Sequence, residues 1–488
     1  MNVNPITRLD YPDLDVIRVE DTYYMVSTTM HFMPGCEILQ SFDLVHWEHV
    51  TYVYETLDHT DAQQLKSGHN IYGQGMWAAS LRYHEGRFCI CFVANDTRKT
   101  YLYTSEKIDG PWKKQLIEGF YHDGSLLFDE DGRNYIVYGN DEIWITELNE
   151  DLTAPKKDGL HRLLVSDHKN PELGYEGSHI QKINGYYYIF LVHSLRDRWM
   201  RTEACFYSDS LEGEFTGGDV LCDDRGYCGQ GVAQGGIVDT PDGKWYAMLF
   251  QDSGAVGRIP ILLPVTWKDH FPVFGQNGHV PEEIEVHSTR PGYIYQPLVG
   301  SDDFCNGLLP RWQFNHDPDP RYYHLDALQG TYTITTREVC TELTQAVNTL
   351  TQRMSYPSCA AEVTVDASAL KEGDVAGLCA LQSCYAAVGI TKHHGKYEVL
   401  MLDKKEDGIL DMTEGTVVES HQMDFRLEAD FCNMKDEARC YYRVNKGDWL
   451  PIGTVHKLYF KLDHFTGCRF GLFCYAAEET GGSACFRD

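Results

Sequence analysis

The stretch Tyr11-Pro12-Asp13-Leu14-Asp15-Val16-Ile17-Arg18-Val19-Glu20-Asp21-Thr22-Tyr23-Tyr24-Met25-Val26 reads as an acidic pair beside a proline turn, an apolar strand, a tight acidic turn and an aromatic strand. Acidic residues at a strand mouth are common, so recurrence is what gives this stretch weight. The unit returns as Leu81–Tyr83/Glu85-Gly86/Phe88–Phe92, Ser125–Phe128/Asp131-Gly132/Tyr135–Tyr138, His179–Ile183/Asn184-Gly185/Tyr186–Leu191 and Gly236–Val238/Asp242-Gly243/Trp245–Phe250. Asp-Gly and Asn-Gly reach the positive φ values of tight hairpins.

Several copies continue into a second shared piece: Ser41-Phe42-Asp43-Leu44, Ser105-Glu106-Lys107-Ile108 and Ser208-Asp209-Ser210-Leu211, each with an aromatic residue just beyond. Each unit is then a small antiparallel sheet with a serine corner. Five units about 45–65 residues apart fit the blades of a propeller better than a sandwich. The period stops after Trp267. Pro272, Gly275, Gly278, Pro281 and Pro291 follow without a strand-turn-strand unit, as in a linker draped over the propeller. From about Asp302 short strands return: Tyr332–Thr335, Ala360–Val365, Ala376–Gln382, Ala386–Thr391, Tyr397–Leu402 and Gly471–Ala476. They suggest a β-sandwich. Trp312, Phe314 and Trp449 are its expected large core or interface residues. The expectation is an all-β chain: a five-bladed β-propeller over 1–270, a linker over 271–301 and a β-sandwich over 302–488.

Composition narrows the function. Lys+Arg 42 against Asp+Glu 72 gives a net charge of −30, a field that repels polyphosphate and argues against nucleic acid. A neutral substrate suits it better. The 31 Tyr, 21 Phe and 9 Trp suit strands and sugar-stacking platforms alike. No stretch approaches the roughly 20 apolar residues of a membrane span. Met1–Arg8 lacks the pattern of a secretory signal, and the 16 Cys show no regular spacing, as expected of reduced, mostly buried thiols. A cytoplasmic protein is expected.

Three acids precede three different units: Asp13, Asp123 in His122-Asp123-Gly124-Ser125, and Glu176 in Tyr175-Glu176-Gly177-Ser178-His179. A radial fold would bring equivalent positions together at the central channel. Clustered carboxylates repel, and at least one then stays protonated near neutrality. One protonated acid and one ionised base is what glycoside hydrolysis needs. The assignment is Glu176 as general acid, its pKa raised, Asp13 as general base on water, and Asp123 tuning Glu176 while contacting the sugar.

These motifs also resemble glycoside hydrolase family 43, five-bladed propeller enzymes acting on hemicellulose. The matching residues are Asn4-Pro5, Tyr11-Pro12-Asp13, Asp21-Thr22-Tyr23-Tyr24, Gly75-Met76-Trp77-Ala78, His122-Asp123-Gly124-Ser125-Leu126, Glu176-Gly177-Ser178-His179 and Gly257-Arg258. The resemblance implies the same three roles for Asp13, Asp123 and Glu176, with inversion of configuration. It also implies that Trp77 packs on the terminal sugar, that Arg258 reaches the sugar hydroxyls and Asp123, and that His31 and Phe32 line the pocket. Asn348–Arg353 and Gly373–Leu378 resemble the sandwich appended to the family's xylosidases and arabinofuranosidases.

Two departures stand out. The base is followed by Leu14-Asp15, and the fifth unit carries Ala233-Gln234-Gly235-Gly236 where many relatives place a histidine. Gln234 is retained as a substrate-side residue, and no axial metal is assigned, although its carbonyl would suit calcium. No cofactor is required. Asp302, Asp303 and Asp488 are candidates for a structural calcium, whereas Asp129–Gly132 fits a hairpin turn and His393-His394 a solvated pair. The expected activity is exo-acting release of terminal α-L-arabinofuranosyl residues from arabinoxylo-oligosaccharides, with β-D-xylosidase activity as competitor or companion. Exo action is expected because linker and sandwich wall one side of the mouth. A non-catalytic carbohydrate-binding propeller is the alternative of another class.

Overall fold

The structure, a computed structural model, describes residues 3–488. Five four-stranded antiparallel sheets form first, each in simple up-and-down order. Their innermost strands are Asp15–Val19, Met76–His84, Ser125–Phe128, Glu176–Ile183 and Val232–Asp239. These strands neighbour one another in a closed ring, the first lying beside both the second and the fifth. The expected propeller is present.

Its sequence logic is visible blade by blade. Second strands such as Arg87–Ala94 are buried along nearly their whole length, because each blade is covered on both faces, and they accordingly read as continuous apolar runs. Outermost strands such as Lys113–Ile117 are largely exposed, and lysines there discourage edge pairing. Glu85/Gly86 and Asn184/Gly185 both take positive φ, the two-residue turn expected of them. The serine corners are hydrogen-bonded caps: Ser41 Oγ accepts the Leu44 amide at 2.8 Å and Ser105 Oγ the Lys107 amide at 3.2 Å.

Neighbouring blades are latched at the channel. Asp15 Oδ2 accepts the Leu81 amide at 2.8 Å, Ser80 Oγ the Leu126 amide at 3.1 Å and Ser125 Oγ the Ile180 amide at 3.0 Å. Asp15 also meets Arg82 at 2.7 Å and His179 at 3.1 Å. Burial alone would raise its pKa, but Arg82, His179 and the Leu81 amide hold it down to about 2. The ring is closed by the N-terminal segment: Asn4 exchanges two hydrogen bonds with Leu262, and the Tyr11 amide donates to Arg258 O.

The fifth blade runs four residues past the expected boundary at 270, since Phe271–Phe274 is its outermost strand. The following segment packs on blade one through Ile284, Val286, Leu298 and Val299. Thr289 bonds Phe42, and Arg290 pairs with Asp21 at 2.8 Å. Asp21 and Phe42 belong to turns at the end of the blade opposite the three acids, so the linker does not wall the mouth as expected.

Residues 302–488 form the β-sandwich. One sheet includes Leu350–Arg353, Arg469–Tyr475, Val375–Leu381, Tyr385–His393 and Lys396–Lys404; the other includes Thr331–Thr335, Ser483–Arg487, Ser358–Asp366, Gln422–Asp430 and Glu437–Arg443. Leu378, Val388, Ile390 and Met401 meet Val363, Val365, Phe425 and Leu427 between them. All six expected strands are there. Phe314 is buried in this core and Trp312 packs against it, but Trp449 is half-buried beneath Arg443, 4.2 Å above its ring. That tryptophan is a surface platform, not a core residue.

The two domains share one interior. Phe32–Met33, from a loop of blade one, pairs with Phe314 and Asn315 of the sandwich. Ala255, Val256 and Ile259 of blade five belong to the sandwich's apolar cluster. Arg353 reaches back to Glu37 at 2.7 Å and to Asp10 O at 2.9 Å.

Candidate active site

Backbone geometry aims the side chains. Asp13 and Asp123 each stand two residues before an innermost strand, and both take left-handed φ, 52° and 47°, an uncommon state for non-glycine residues that turns each carboxyl across the channel end. The innermost strands of blades two, four and five bulge at that same end, between Trp77 and Ser80, Glu176 and His179, and Ala233 and Gly236. A bulge re-aims the residue beside it. Trp77 and Glu176 therefore occupy equivalent places two blades apart.

The acids converge as expected. Donor atoms of His122, Asp123 and Glu176 lie within 4.8 Å of one another, and Asp13 and Asp123 line one cavity of about 10 Å³ with Gly177 and Gln234. Asp13 is 4% exposed; Oδ2 accepts Thr28 Oγ1 at 2.6 Å and Oδ1 accepts Arg258 Nη1 at 2.6 Å. Asp123 Oδ2 accepts the Gly177 amide at 3.1 Å. Gly177 has φ +66°, and a Cβ there would stand 2.7 Å from Gln234 Cγ, so only glycine delivers that amide. Glu176 Oε2 accepts Asn140 Nδ2 at 2.7 Å.

His122 sits between two of the acids, its Nε2 3.5 Å from Asp123 Oδ2 and 3.6 Å from Glu176 Oε2. Asp123, then Glu176, raise its pKa to about 9 against the opposing effect of burial. Burial, with the charges of Glu176 and Asp13, pushes Asp123 up to about 6 although His122 opposes it. Burial would also raise Glu176, but His122, Arg201 and Arg258 together bring it below its ordinary value. The expected raised pKa thus falls on Asp123 and His122 and not on Glu176, because a cation stands beside the acid. The three titrate as one unit.

Arg258 is buried at the hub, but its partner differs from the expectation. It pairs with Asp13 at 2.6 Å and Asp252 at 3.1 Å, not with Asp123. Asp252 in turn holds Arg201 Nε at 3.0 Å, giving an alternating chain Arg201–Asp252–Arg258–Asp13. The sandwich enters here: Phe465 lies under the Arg258 guanidinium, 3.9 Å from Cζ, and edge-on to Trp77 at 5.1 Å. Trp77 also meets His122 at 6.2 Å. The sandwich alone supplies the wall expected of sandwich and linker together.

His31 and Phe32 are in the interdomain seam, 1% and 2% exposed; His31 packs on His316 and His464, and Arg469 lies 3.5 Å above Phe32. Gln234, at φ 65°, donates its backbone N–H to Glu203 Oε2 at 2.7 Å and keeps a buried, unpartnered side-chain Oε1. Asp302 accepts from Phe304 N and Trp312 Nε1, and Asp303 from Cys305 N. With Asp488 they do not form a three-ligand group: among the described residues only His122, Asp123 and Glu176 do. The Asp129 hairpin is closed by the Asp129 amide donating to Arg133 O and the Gly132 amide to Asp129 O, while Lys182 and Tyr187 tie its carboxylate to blade four, and His393 and His394 are exposed.

The model of glycosyl hydrolases family 43 matches residues 3–272, and that of the beta xylosidase C-terminal concanavalin A-like domain matches residues 301–488. The chain belongs to glycosyl hydrolase family 43. A bifunctional GH43-CE protein of Bacteroides eggerthii is 42% identical with a TM-score of 0.92, over 99% of this chain and 63% of that one, so this chain spans under two thirds of that protein. A beta-xylosidase of Formosa agariphila is 26% identical over 98% of this chain and 88% of its own length. A non-reducing end alpha-L-arabinofuranosidase of Bacteroides ovatus is 23% identical over 84% and 79%.

In this family-43 glycoside hydrolase the site also gathers residues outside the expected set. Asn140 and Asp252 end second strands of their blades, a phase common to mouth residues, and were legible in principle. His122 adjoins the central acid within a quoted motif. Arg201 and Phe465 gave no local signal; only the folded chain brings them in.

Proposed function

We propose that this family-43 enzyme is an exo-acting, inverting glycosidase releasing terminal α-L-arabinofuranosyl residues from arabinoxylo-oligosaccharides. The observation that carries the reading is the different hydrogen bonding of two carboxyl groups at the same end of the channel. Both oxygens of Asp13 accept hydrogen bonds, from Thr28 and Arg258, the state a general base needs. Glu176 instead faces a hydrogen-bond donor and an imidazolium.

In this mechanism Glu176 delivers a proton to the glycosidic oxygen as the C–O bond breaks. Asp13 takes a proton from the water that attacks the anomeric carbon on the opposite face. The proton that Glu176 delivers is drawn from the cluster it forms with His122 and Asp123, in which His122 Nε2 stands 3.6 Å from Glu176 Oε2. Asp123, anchored by the Gly177 amide, faces the sugar. Trp77 and Phe465, packed edge to face at 5.1 Å, would back the terminal ring, which supports exo action.

β-D-Xylosidase activity is the second reading, favoured by the Formosa agariphila relative's name. The substrate is a small oligosaccharide. Sixteen free thiols, ten of them buried, suit a reducing compartment such as the cytoplasm. Paired assays on nitrophenyl α-L-arabinofuranoside and β-D-xylopyranoside test the sugar. Proton NMR of the first-formed product tests the stereochemistry: inversion gives the anomer opposite to the substrate's, and retention would overturn the roles of Asp13 and water.

A further inference from the structure

Arg201 opens the third strand of blade four, directly after the mouth loop 195–200. Its side chain is 2% exposed, and its one charged partner among the described residues is Asp252, through Nε at 3.0 Å. Asp252 is already shared with Arg258. Arg201 Nη1 is buried with no hydrogen-bond partner among the described residues. A charged donor withdrawn from water and left without an acceptor is unfavourable, so an incoming acceptor would be bound strongly there.

Position says which acceptor. Glu176 feels the charge of Arg201 more strongly than that of Arg258, and Glu176 and Arg201 sit on the same blade. Two residues earlier, half-buried Trp199 lies with its ring 5.3 Å from the Arg201 guanidinium. A general acid stands beside the leaving oxygen, so groups on its side meet the sugar being released. An aromatic ring for stacking beside a cationic hydrogen-bond donor is what a pyranose ring binds.

We propose that Trp199 and Arg201 form the subsite for the leaving-group sugar, with Trp199 stacking on its ring and Arg201 Nη1 donating to one of its hydroxyls. The inference rests on the proposed glycosidase reading and adds the released sugar's binding site to it.

The test compares two substrates on wild type, Trp199→Ala and Arg201→Lys: a pentosyl-xylose disaccharide, and the pentosyl fluoride, whose leaving group has no ring. For Trp199→Ala, kcat/KM on the disaccharide should fall at least ten-fold further than on the fluoride, about 1.4 kcal/mol of differential binding. Arg201→Lys, which keeps a charge for Asp252 and Glu176, should raise KM for the disaccharide roughly ten-fold and leave KM for the fluoride unchanged, whereas disturbed acid catalysis alone would lower kcat on the disaccharide and leave its KM in place. Equal losses on both substrates, or no loss on either, would overturn the subsite. A wild-type enzyme that cleaves neither substrate would instead overturn the glycosidase reading, and the subsite with it.

Discussion

Replacing His122 by Gln probes the site's electrostatics. The imidazolium stands 3.5 Å from Asp123 and 3.6 Å from Glu176. At an effective dielectric near 20, one such pair is worth about 5 kcal/mol, roughly three pK units. His122 is 22% exposed; if water halves the interaction, more than one unit remains. The sign follows. Wild type should lose its cluster proton only near pH 9, where His122 titrates, and should lose Asp123 as an anion below about 6. Without the imidazolium the alkaline limb retreats toward neutrality, because the remaining proton sits on carboxyl groups. The acid limb rises, because Asp123 loses the cation that favours its ionised form. The profile of kcat/KM narrows from both sides, by about one unit or more on the alkaline limb. The assay needs an unactivated oligosaccharide, since a good aryl leaving group masks acid catalysis. An alkaline limb still near pH 9 in the variant would refute the reasoning.

Two further outcomes are expected. Phe465→Ala removes the face under Arg258 and the edge against Trp77; with a partly desolvated cation–π contact worth about 1–2 kcal/mol, KM should rise roughly ten-fold, and an unchanged KM would remove the sandwich from the pocket. His464 is a seam residue whose pKa burial, aided by Arg469 and opposed by Asp463, pushes from 6.5 down to about 4. Between those values the unfolded chain binds the extra proton, so stability falls as pH drops through that window, by up to about 3 kcal/mol. His464→Gln should flatten that fall in thermal unfolding measured from pH 7 to 4, and parallel wild-type and variant curves would contradict it.

The blades were legible because their information is local. Tight turns such as Asn184-Gly185 and serine corners such as Ser41 act within a few residues, and apolar runs such as Phe88–Ala94 follow from burial on both blade faces. The three acids were legible through phase, since Asp13, Asp123 and Glu176 sit at comparable offsets from strands that a propeller must gather. What failed to show depends on contacts between distant segments. Arg258 was expected beside Asp123, but the Asp252 side chain, six residues earlier, turns it toward Asp13. The raised pKa was placed on Glu176 because carboxylate repulsion was considered without the neighbouring imidazolium. Trp449 looked like core from its size alone, and an arginine laid across it makes a surface site. Phe465 arrives from the other domain, and nothing in its own surroundings in sequence predicts a place under Arg258.

The central claim is that Glu176 is the proton donor of a hydrolytic site shared with Asp13 and Asp123. Glu176→Gln keeps the side chain's size and removes its transferable proton, so the decisive measurement is kcat/KM of this variant on an unactivated pentosyl-oligosaccharide. A loss of about 10²–10⁴-fold is predicted. Hydrolysis at the wild-type rate would contradict the assignment and the mechanism built on it.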